Sequence, residues 1–305
     1  MTAGFENRQS VIRKRPGIPE RGFRVLFCVM ALLLSLFLSG CGKEFPPTGR
    51  EGEVAVHFID VGQGDAVLIE DGAKSVLIDT GNAETAHTDA LLAYLRRRNI
   101  TKIDYLILTH PDEDHIGGAV RVLGNFSVTV CLLPDAVSDT PVFRNTLDAL
   151  DAASVYAAEA KAGDVYPLER ATFTILSPKG KVSSLNDGSV VLRLTVGTRH
   201  FLFTGDAGES TERALLAEYP ASSLSADVLK VSHHGASGAG TDEFLETVSP
   251  TYGVISCGKN NVYGHPAAEV VYRYGEHGIR LYRTDESGSI VFLTDGSNLR
   301  VATER

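Results

Sequence analysis

Six consecutive residues, His110-Pro111-Asp112-Glu113-Asp114-His115, hold two imidazoles and three carboxylates. They directly follow the apolar, β-rich run 105–109, so they sit where a strand ends, the backbone turns and side chains can meet at one point. That much acid in one place is costly unless something positive neutralises it. A divalent cation does so, and imidazole with carboxylate is a donor set that suits zinc, manganese or iron.

The rest of the chain fits a fold made of strand ends. From residue 53 onward, short β-rich runs alternate with amphipathic segments and no break in composition appears. The periodicity predicts strands at 54–60, 66–70, 75–79, 105–109, 128–133, 171–176, 190–196, 200–204, 228–232, 252–256, 279–282 and 289–293. Helices are predicted at 84–98, 116–123, 142–153, 209–218, 242–248 and 267–274. The early strands pair as hairpins and the later elements alternate, so two sheets with helices packed outside them, one α/β domain from 53 to 305, is the expected architecture. With 43% hydrophobic and 22% charged residues among 305, disorder is excluded, and no internal period points to a solenoid or propeller. In the predicted helix 84–98, Leu91, Leu92 and Leu95 form the apolar stripe, and Arg96-Arg97-Arg98 reads as a solvated helix end.

The first forty residues belong to a different problem. Six basic residues and two acids precede an uncharged apolar run of 14 residues, Val25 to Leu38, the layout of an export signal. Leu38-Ser39-Gly40-Cys41 resembles the processing tetrad of bacterial lipoproteins, in which the cysteine is lipidated and becomes the new N-terminus. The expected organisation is a signal peptide over 1–40, a tether over 41–52 and the folded domain over 53–305. The product would be extracytoplasmic and lipid-anchored to a bacterial membrane through Cys41, without spanning it. Of 29 basic and 38 acidic residues, 23 and 36 remain after residue 40, a net charge of −13. Such a surface opposes non-specific binding of nucleic acid, so a polyanionic substrate needs local neutralisation by a metal or basic patch. Only Cys131 and Cys257 then remain, both in apolar strand-like runs, and two buried free thiols are expected rather than the alternative, a disulfide.

The block at 110–115 resembles the His-x-His-x-Asp-His motif of the metallo-β-lactamase superfamily, with Asp112 in place of the second histidine. That variant, His-x-Asp-x-Asp-His, resembles the extracellular metallo-hydrolase domain of ComEC-type competence proteins. Further stretches agree in order: Phe58-Ile59-Asp60-Val61-Gly62-Gln63-Gly64-Asp65-Ala66, Leu77-Ile78-Asp79-Thr80-Gly81, Phe201-Leu202-Phe203-Thr204-Gly205-Asp206, Leu229-Lys230-Val231-Ser232-His233-His234-Gly235 and Tyr263-Gly264-His265-Pro266. The resemblance implies a four-layer αββα sandwich holding one or two divalent ions, zinc or manganese. It places His110 and Asp112 on one metal position, Asp114 and His115 on the other, and Asp206 between them. His233 is assigned as the last ligand, while His234 orients a neighbour or faces substrate. Where the superfamily has a further histidine, this chain offers Asn186, Asp187 and Ser189, which shifts the donor set toward oxygen and the metal preference toward manganese or magnesium. Asp65 is either a turn-capping carboxylate or support for the metal site, and Asp79 is structural. His57, His87, His200 and His277 read as ordinary core-edge or surface residues.

These residues imply a membrane-tethered metal-dependent hydrolase acting on a phosphodiester, DNA being one such substrate. Asp114 or Asp206 would hold and deprotonate the attacking water, and His265 would donate to a phosphate oxygen. The alternatives are an esterase or lactonase on small or cell-wall-linked substrates, and a non-catalytic binding lipoprotein with an incomplete metal site. No motif points to a protein partner.

Overall fold

Period-two alternation sorts the strand side chains onto two faces. Val76 and Ile78 point one way and Leu77 the other; Phe201 and Phe203 oppose Leu202 in the same manner. The computed structural model describes residues 49–136, 138–179 and 184–305. The predicted export segment, Cys41 and most of the tether lie outside the described residues. The strands are β1 (Val54–Phe58), β2 (Val67–Asp71), β3 (Lys74–Ile78), β4 (Lys102–Ile107), β5 (Ser127–Leu133), β6 (Tyr156–Glu159), β7 (Val165–Pro167) and β8 (Ala171–Ser177). They continue with β9 (Val191–Val196), β10 (Arg199–Phe203), β11 (Val228–Lys230), β12 (Tyr252–Ile255), β13 (Arg280–Arg283), β14 (Ile290–Thr294) and β15 (Leu299–Thr303).

Among the described residues these strands form two sheets, ordered β15-β14-β1-β2-β3-β4-β5-β6 and β13-β12-β11-β10-β9-β8-β7. The inward faces meet in one apolar layer that includes Val54, Val56, Phe58, Phe173, Phe201, Phe203 and Phe292. Phe58 of the first sheet and Phe203 of the second stand 6.0 Å apart, and Phe58 meets the ring of Phe292 edge-on. The outward face of the first sheet buries Leu68, Leu77 and Leu106 against Leu91, Leu92, Leu95 and Leu150 from the helices Thr85–Arg97 and Pro141–Ala152. The second sheet does the same with Leu215, Phe244, Leu245 and Val270 from Glu209–Glu218, Asp242–Val248 and Ala268–Glu276. The result is the expected four layers, helices, sheet, sheet, helices, with each fully buried aliphatic or aromatic side chain contributing about 1.5–3 kcal/mol.

The topology decides where chemistry can happen. β3, β4 and β5 are mutually parallel, and so are β10, β11, β12 and β13. Their C-terminal ends therefore lie at one edge of each sheet, and the residues after β3, β4, β10, β11 and β12 come together there.

Three strands have no counterpart in the sequence-based expectation, β6, β7 and β15, and each is an outermost strand of its sheet. Tyr156, Ala157 and Glu159 are exposed, and β7 is three residues long with a proline, so neither carries a buried face to read. The helix predicted at 116–123 is two short ones, Glu113–Ile116 and Ala119–Leu123, separated by Gly117-Gly118. A Cβ on Gly117 would lie 2.2 Å from the Ala83 nitrogen, so the glycine is needed for backbone to meet backbone. Arg98 is not solvated: its side chain is folded onto Glu70 at 2.9 Å. His57 is not at an edge either, being fully buried with Nδ1 2.9 Å from the Tyr94 hydroxyl and Nε2 2.6 Å from Glu70.

Candidate metal centre

The site grows from loops that are tied to one another by main-chain bonds. Asp65 N donates to the Asp114 carbonyl at 3.0 Å, Thr80 N to His115 O at 2.7 Å, and His233 N to Gly205 O at 3.0 Å. Gly64, at φ +133°, lets the first of these loops close: a Cβ there would stand 2.3 Å from Asp114 O. After β11 the chain turns through two successive non-glycine residues in the left-handed region, His233 at φ 49° and His234 at φ 52°. Each costs about 1–2 kcal/mol, a cost that surrounding contacts must hold in place and that is concentrated at functional sites.

The turn directs the two histidines differently. His234 is 1% exposed and enters the cluster, its Nε2 3.1 Å from Asp114 Oδ2, 3.7 Å from Asp206 Oδ1 and 3.2 Å from His115 Nε2. His233 lies alongside, with a 41% exposed side chain and Nε2 3.6 Å from Asp206 Oδ2. His115 Nε2 is 3.1 Å from Asp206 Oδ1, and His110 Nε2 is 3.8 Å from Asp206 Oδ2 and 3.6 Å from Asp112. Asp206 thus stands between the histidines on both sides. Asp112 is more exposed, its side chain at 41%. Ser189 reaches the centre through backbone, its Oγ accepting from Asp206 N at 3.1 Å. Asn186 contributes a carbonyl to the turn that precedes it, accepting from Ser189 N at 3.0 Å.

A layer behind these groups fixes their orientation. Asp79 accepts from Thr109 N and from Thr109 Oγ1, each at 2.7 Å, and lies 2.8 Å from His115 Nδ1. With Nδ1 engaged by a carboxylate, His115 presents Nε2 to the cluster, the arrangement that holds a metal-ligating imidazole in one tautomer. His234 is oriented in the same way by the Ser256 carbonyl, 2.9 Å from its Nδ1, with Asp65 Oδ1 at 3.3 Å. Asp65 is in turn paired with Lys230, Nζ to Oδ2 2.7 Å, and both side chains are buried. Sequence reading had no means to assign Thr109 or Lys230, since each is an ordinary residue inside a strand pattern; position at a parallel strand end is the signal that finds them.

The charges are mutually dependent. Burial works to raise the Asp206 carboxyl, yet the His115 and His234 imidazoles outweigh it and hold it well below the usual range. Burial opposes charge on His234 too, but Asp206 and Asp65 dominate and push it up to about 10. His115 is raised in the same manner by Asp206 and Asp79, and Asp114 is lowered against its burial by His234 and His115. His265, near the mouth, goes the other way: burial and the neighbouring imidazoles His234 and His233 lower it.

These donors fit a divalent cation. His110 Nε2 is buried with no hydrogen-bond partner among the described residues, a cost that a coordinated ion removes. Donors at about 2.1 Å from a tetrahedral ion stand roughly 3.4 Å from each other, close to the separations among His115, His234, Asp114 and Asp206. The sets His110-His115-Asp206, Asp114-His115-His234 and Asp65-Asp206-His234 can each supply three ligand atoms to one ion. Beside the centre lies an open cleft of about 810 Å³, whose lining includes Asp112, Asp114, Lys259, Val262 and Tyr263.

Comparison with known proteins agrees with this geometry. The profile described as "Metallo-beta-lactamase superfamily" matches residues 59–259. ComE operon protein 3 of Bacillus subtilis is 34% identical over 267 residues, 81% of this chain and 34% of its own length. Competence protein ComA of Neisseria gonorrhoeae is 32% identical, covering 84% of this chain and 35% of its own. Recombination protein 2 of Haemophilus influenzae is 30% identical, covering 90% and 33%. The chain therefore spans about a third of the length of the curated relatives it matches. Among solved structures, the metallo-beta-lactamase fold protein YhfI of Bacillus subtilis superposes with a TM-score of 0.51 at 13% identity, over 82% of this chain and all of its own. A CmlA beta-hydroxylase variant superposes at 0.50 and 13% identity, over 78% and 53%.

Proposed function

The chain belongs to the metallo-β-lactamase superfamily, and from that membership we propose that it is a metal-dependent phosphodiesterase, extracytoplasmic and anchored to a bacterial membrane by a lipidated Cys41. The observation that carries the reaction class is the convergence of buried ligand atoms from both sheets, on His110, His115 and Asp206, on one point beside an open cleft. His110, His115, His234, Asp114 and Asp206 would hold the cation, with Asp112 and His233 at its margin. A bound divalent ion supplies Lewis-acid polarisation of a phosphoryl oxygen and a water acidic enough to ionise near neutral pH. Asp114 supports the base role: its carboxylate is kept ionised by His234 and is 26% exposed toward the cleft. His265, whose pKa is lowered by burial and by the His234 and His233 imidazoles, is held beside these groups and would offer an N–H hydrogen bond to a phosphate oxygen.

The anchor rests on Leu38-Ser39-Gly40-Cys41 and the basic and apolar runs before it. Among the described residues no helix is long and apolar enough to cross a membrane.

A second reading has an observation of its own. Asp60, Glu84, Asp112, Glu113 and Asp285 line the cleft against Lys259 and Arg305, and that acidity favours an uncharged ester or lactone over a polyanion. Rates on DNA, a bis-phosphodiester and a carboxylic ester, each with manganese and with zinc, separate the readings. Phosphodiester cleavage supported by manganese at least as well as by zinc is expected, lost in Asp114→Ala and Asp206→Ala with circular dichroism retained. His265→Ala should cost about 100-fold on the phosphodiester and less on the ester. Ester turnover without phosphodiester cleavage would replace the proposal by the esterase; no turnover of either would favour a binding module.

A further inference from the structure

A column of rings leads from the buried centre to the solvent, and the hydrolytic chemistry uses only its inner part. The His234 and His265 rings are 6.3 Å apart with their planes at 23°, and His265 and Tyr263 are 5.6 Å apart, also at 23°. His234 is 1% exposed, whereas Tyr263, which ends the column, is 65% exposed, next to Val262 at 92%. Single exposed apolar residues are ordinary. These two are held in place on a loop whose turns are bonded at both ends. Asn261 Nδ2 donates to Gly258 O at 3.0 Å and to His265 O at 2.6 Å, its Oδ1 accepts from His265 N at 3.0 Å, and Gly258 N donates to Gln63 Oε1 at 3.0 Å. An aromatic face fixed in this way meets a ligand with little further loss of freedom.

Charge gives the cleft little hold on a phosphodiester strand. Its cationic lining is Lys259 and Arg305, and Arg305 is engaged with Asp60 at 2.8 Å. Away from the metal centre, affinity must therefore come from contacts that do not depend on charge. We propose that Tyr263, flanked by Val262, is a stacking platform for a nucleobase of the substrate strand, placed so that the adjoining phosphate reaches the His265 end of the column. The occupant is an unpaired base, because bases inside a duplex already have both faces covered. The assignment rests on the phosphodiesterase reading above, and the test is arranged so that the two fail separately.

The wild-type protein, Tyr263→Ala and Tyr263→Phe are compared on a labelled single-stranded oligodeoxynucleotide and on an abasic oligomer of equal length. Binding is followed by fluorescence anisotropy in an Asp114→Asn background, and cleavage with manganese. The wild type should prefer the base-bearing strand. That preference should fall about tenfold in Tyr263→Ala, through KM and Kd rather than kcat, and return in Tyr263→Phe. If the preference is absent in the wild type, or unchanged in Tyr263→Ala, the platform is overturned, whatever the cleavage rates. If neither oligomer is cleaved but base-dependent binding still follows Tyr263, the platform stands and the hydrolytic reading falls.

Discussion

Lys230 is the residue whose removal should reveal most about how this centre is held together. It ends β11, is 2% exposed, and places Nζ 2.7 Å from Asp65 Oδ2 and 2.8 Å from its neighbour's carbonyl, Val231 O. Asp65 is 3% exposed, and its other oxygen faces His234 at 3.3 Å. Lys230→Met keeps most of the stem volume but leaves Asp65 buried without its cation, in a region that already contains Asp79, Asp114 and Asp206. Breaking a buried pair from one side costs about 3–5 kcal/mol. For a domain of this size, roughly 2–4 °C of Tm accompanies each kcal/mol, so a loss of about 6–20 °C is expected. Urea denaturation in the presence of a chelator measures the loss without help from bound metal. The double variant Lys230→Met/Asp65→Asn removes both charges and should recover a large part of it. Manganese should also rescue the single variant more than it stabilises the wild type, since the released carboxylate becomes one more anionic donor for the ion. If Lys230→Met loses less than about 1 kcal/mol with chelator present, or the double variant is no more stable than the single, the pair does not hold Asp65 as argued.

Three further outcomes follow from other parts of the molecule. Asp79→Asn frees His115 Nδ1 and the Thr109 hydroxyl, and should weaken manganese binding by about 10–100-fold in titration calorimetry while the fold persists; unchanged affinity would show that His115 needs no such support. His57 is fully buried and its pKa is lowered, chiefly by burial, from 6.5, so the unfolded chain binds a proton that the folded chain refuses. Its contribution is complete above pH 6.5 and is lost as the pH falls toward the folded value, at up to about 1.4 kcal/mol per pH unit; His57→Leu should flatten the acid limb of Tm against pH, and parallel curves would refute this. Cys41→Ser should block processing and lipid attachment in cells, and a variant still cleaved before residue 41 and retained on membranes after a carbonate wash would remove the lipoprotein reading.

The interior strands of this fold are legible because each is buried on one or both faces and so carries either alternation or a continuous apolar run. Val76-Leu77-Ile78 and Phe201-Leu202-Phe203 are short apolar runs that read as buried strands, and the structure divides each between the central layer and an outer one. At the margins that information disappears. β15 packs with every residue half-buried, and Tyr156 on β6 is 69% exposed, so the burial that writes a pattern into sequence is missing where a strand has one neighbour. Glycines mislead in the opposite direction. Gly117 and Gly118 interrupt a run whose apolar spacing fits a single helix, and their reason, contact with the backbone of Ala83 and Thr80, is made by residues more than thirty positions away.

The site divides along the same line between local and distant causes. The block from His110 to His115 announces itself because its charges are adjacent in sequence, and any fold must answer for them. His233 and His234 are also adjacent, but adjacency is what makes them ambiguous: with both residues in the left-handed region, neither strand nor helix periodicity says which ring turns inward. What decides is the partner set on other strands, the Ser256 carbonyl and Asp65 for His234, against an open position for His233. Lys230 is the extreme case, a charged residue in an apolar strand that looks solvent-facing until Asp65, 165 positions earlier, is seen beneath it. Its burial is tolerable only because the acidic centre is there. The lysine and the carboxylates thus account for one another, and neither could be read without the fold that brings the strand ends together.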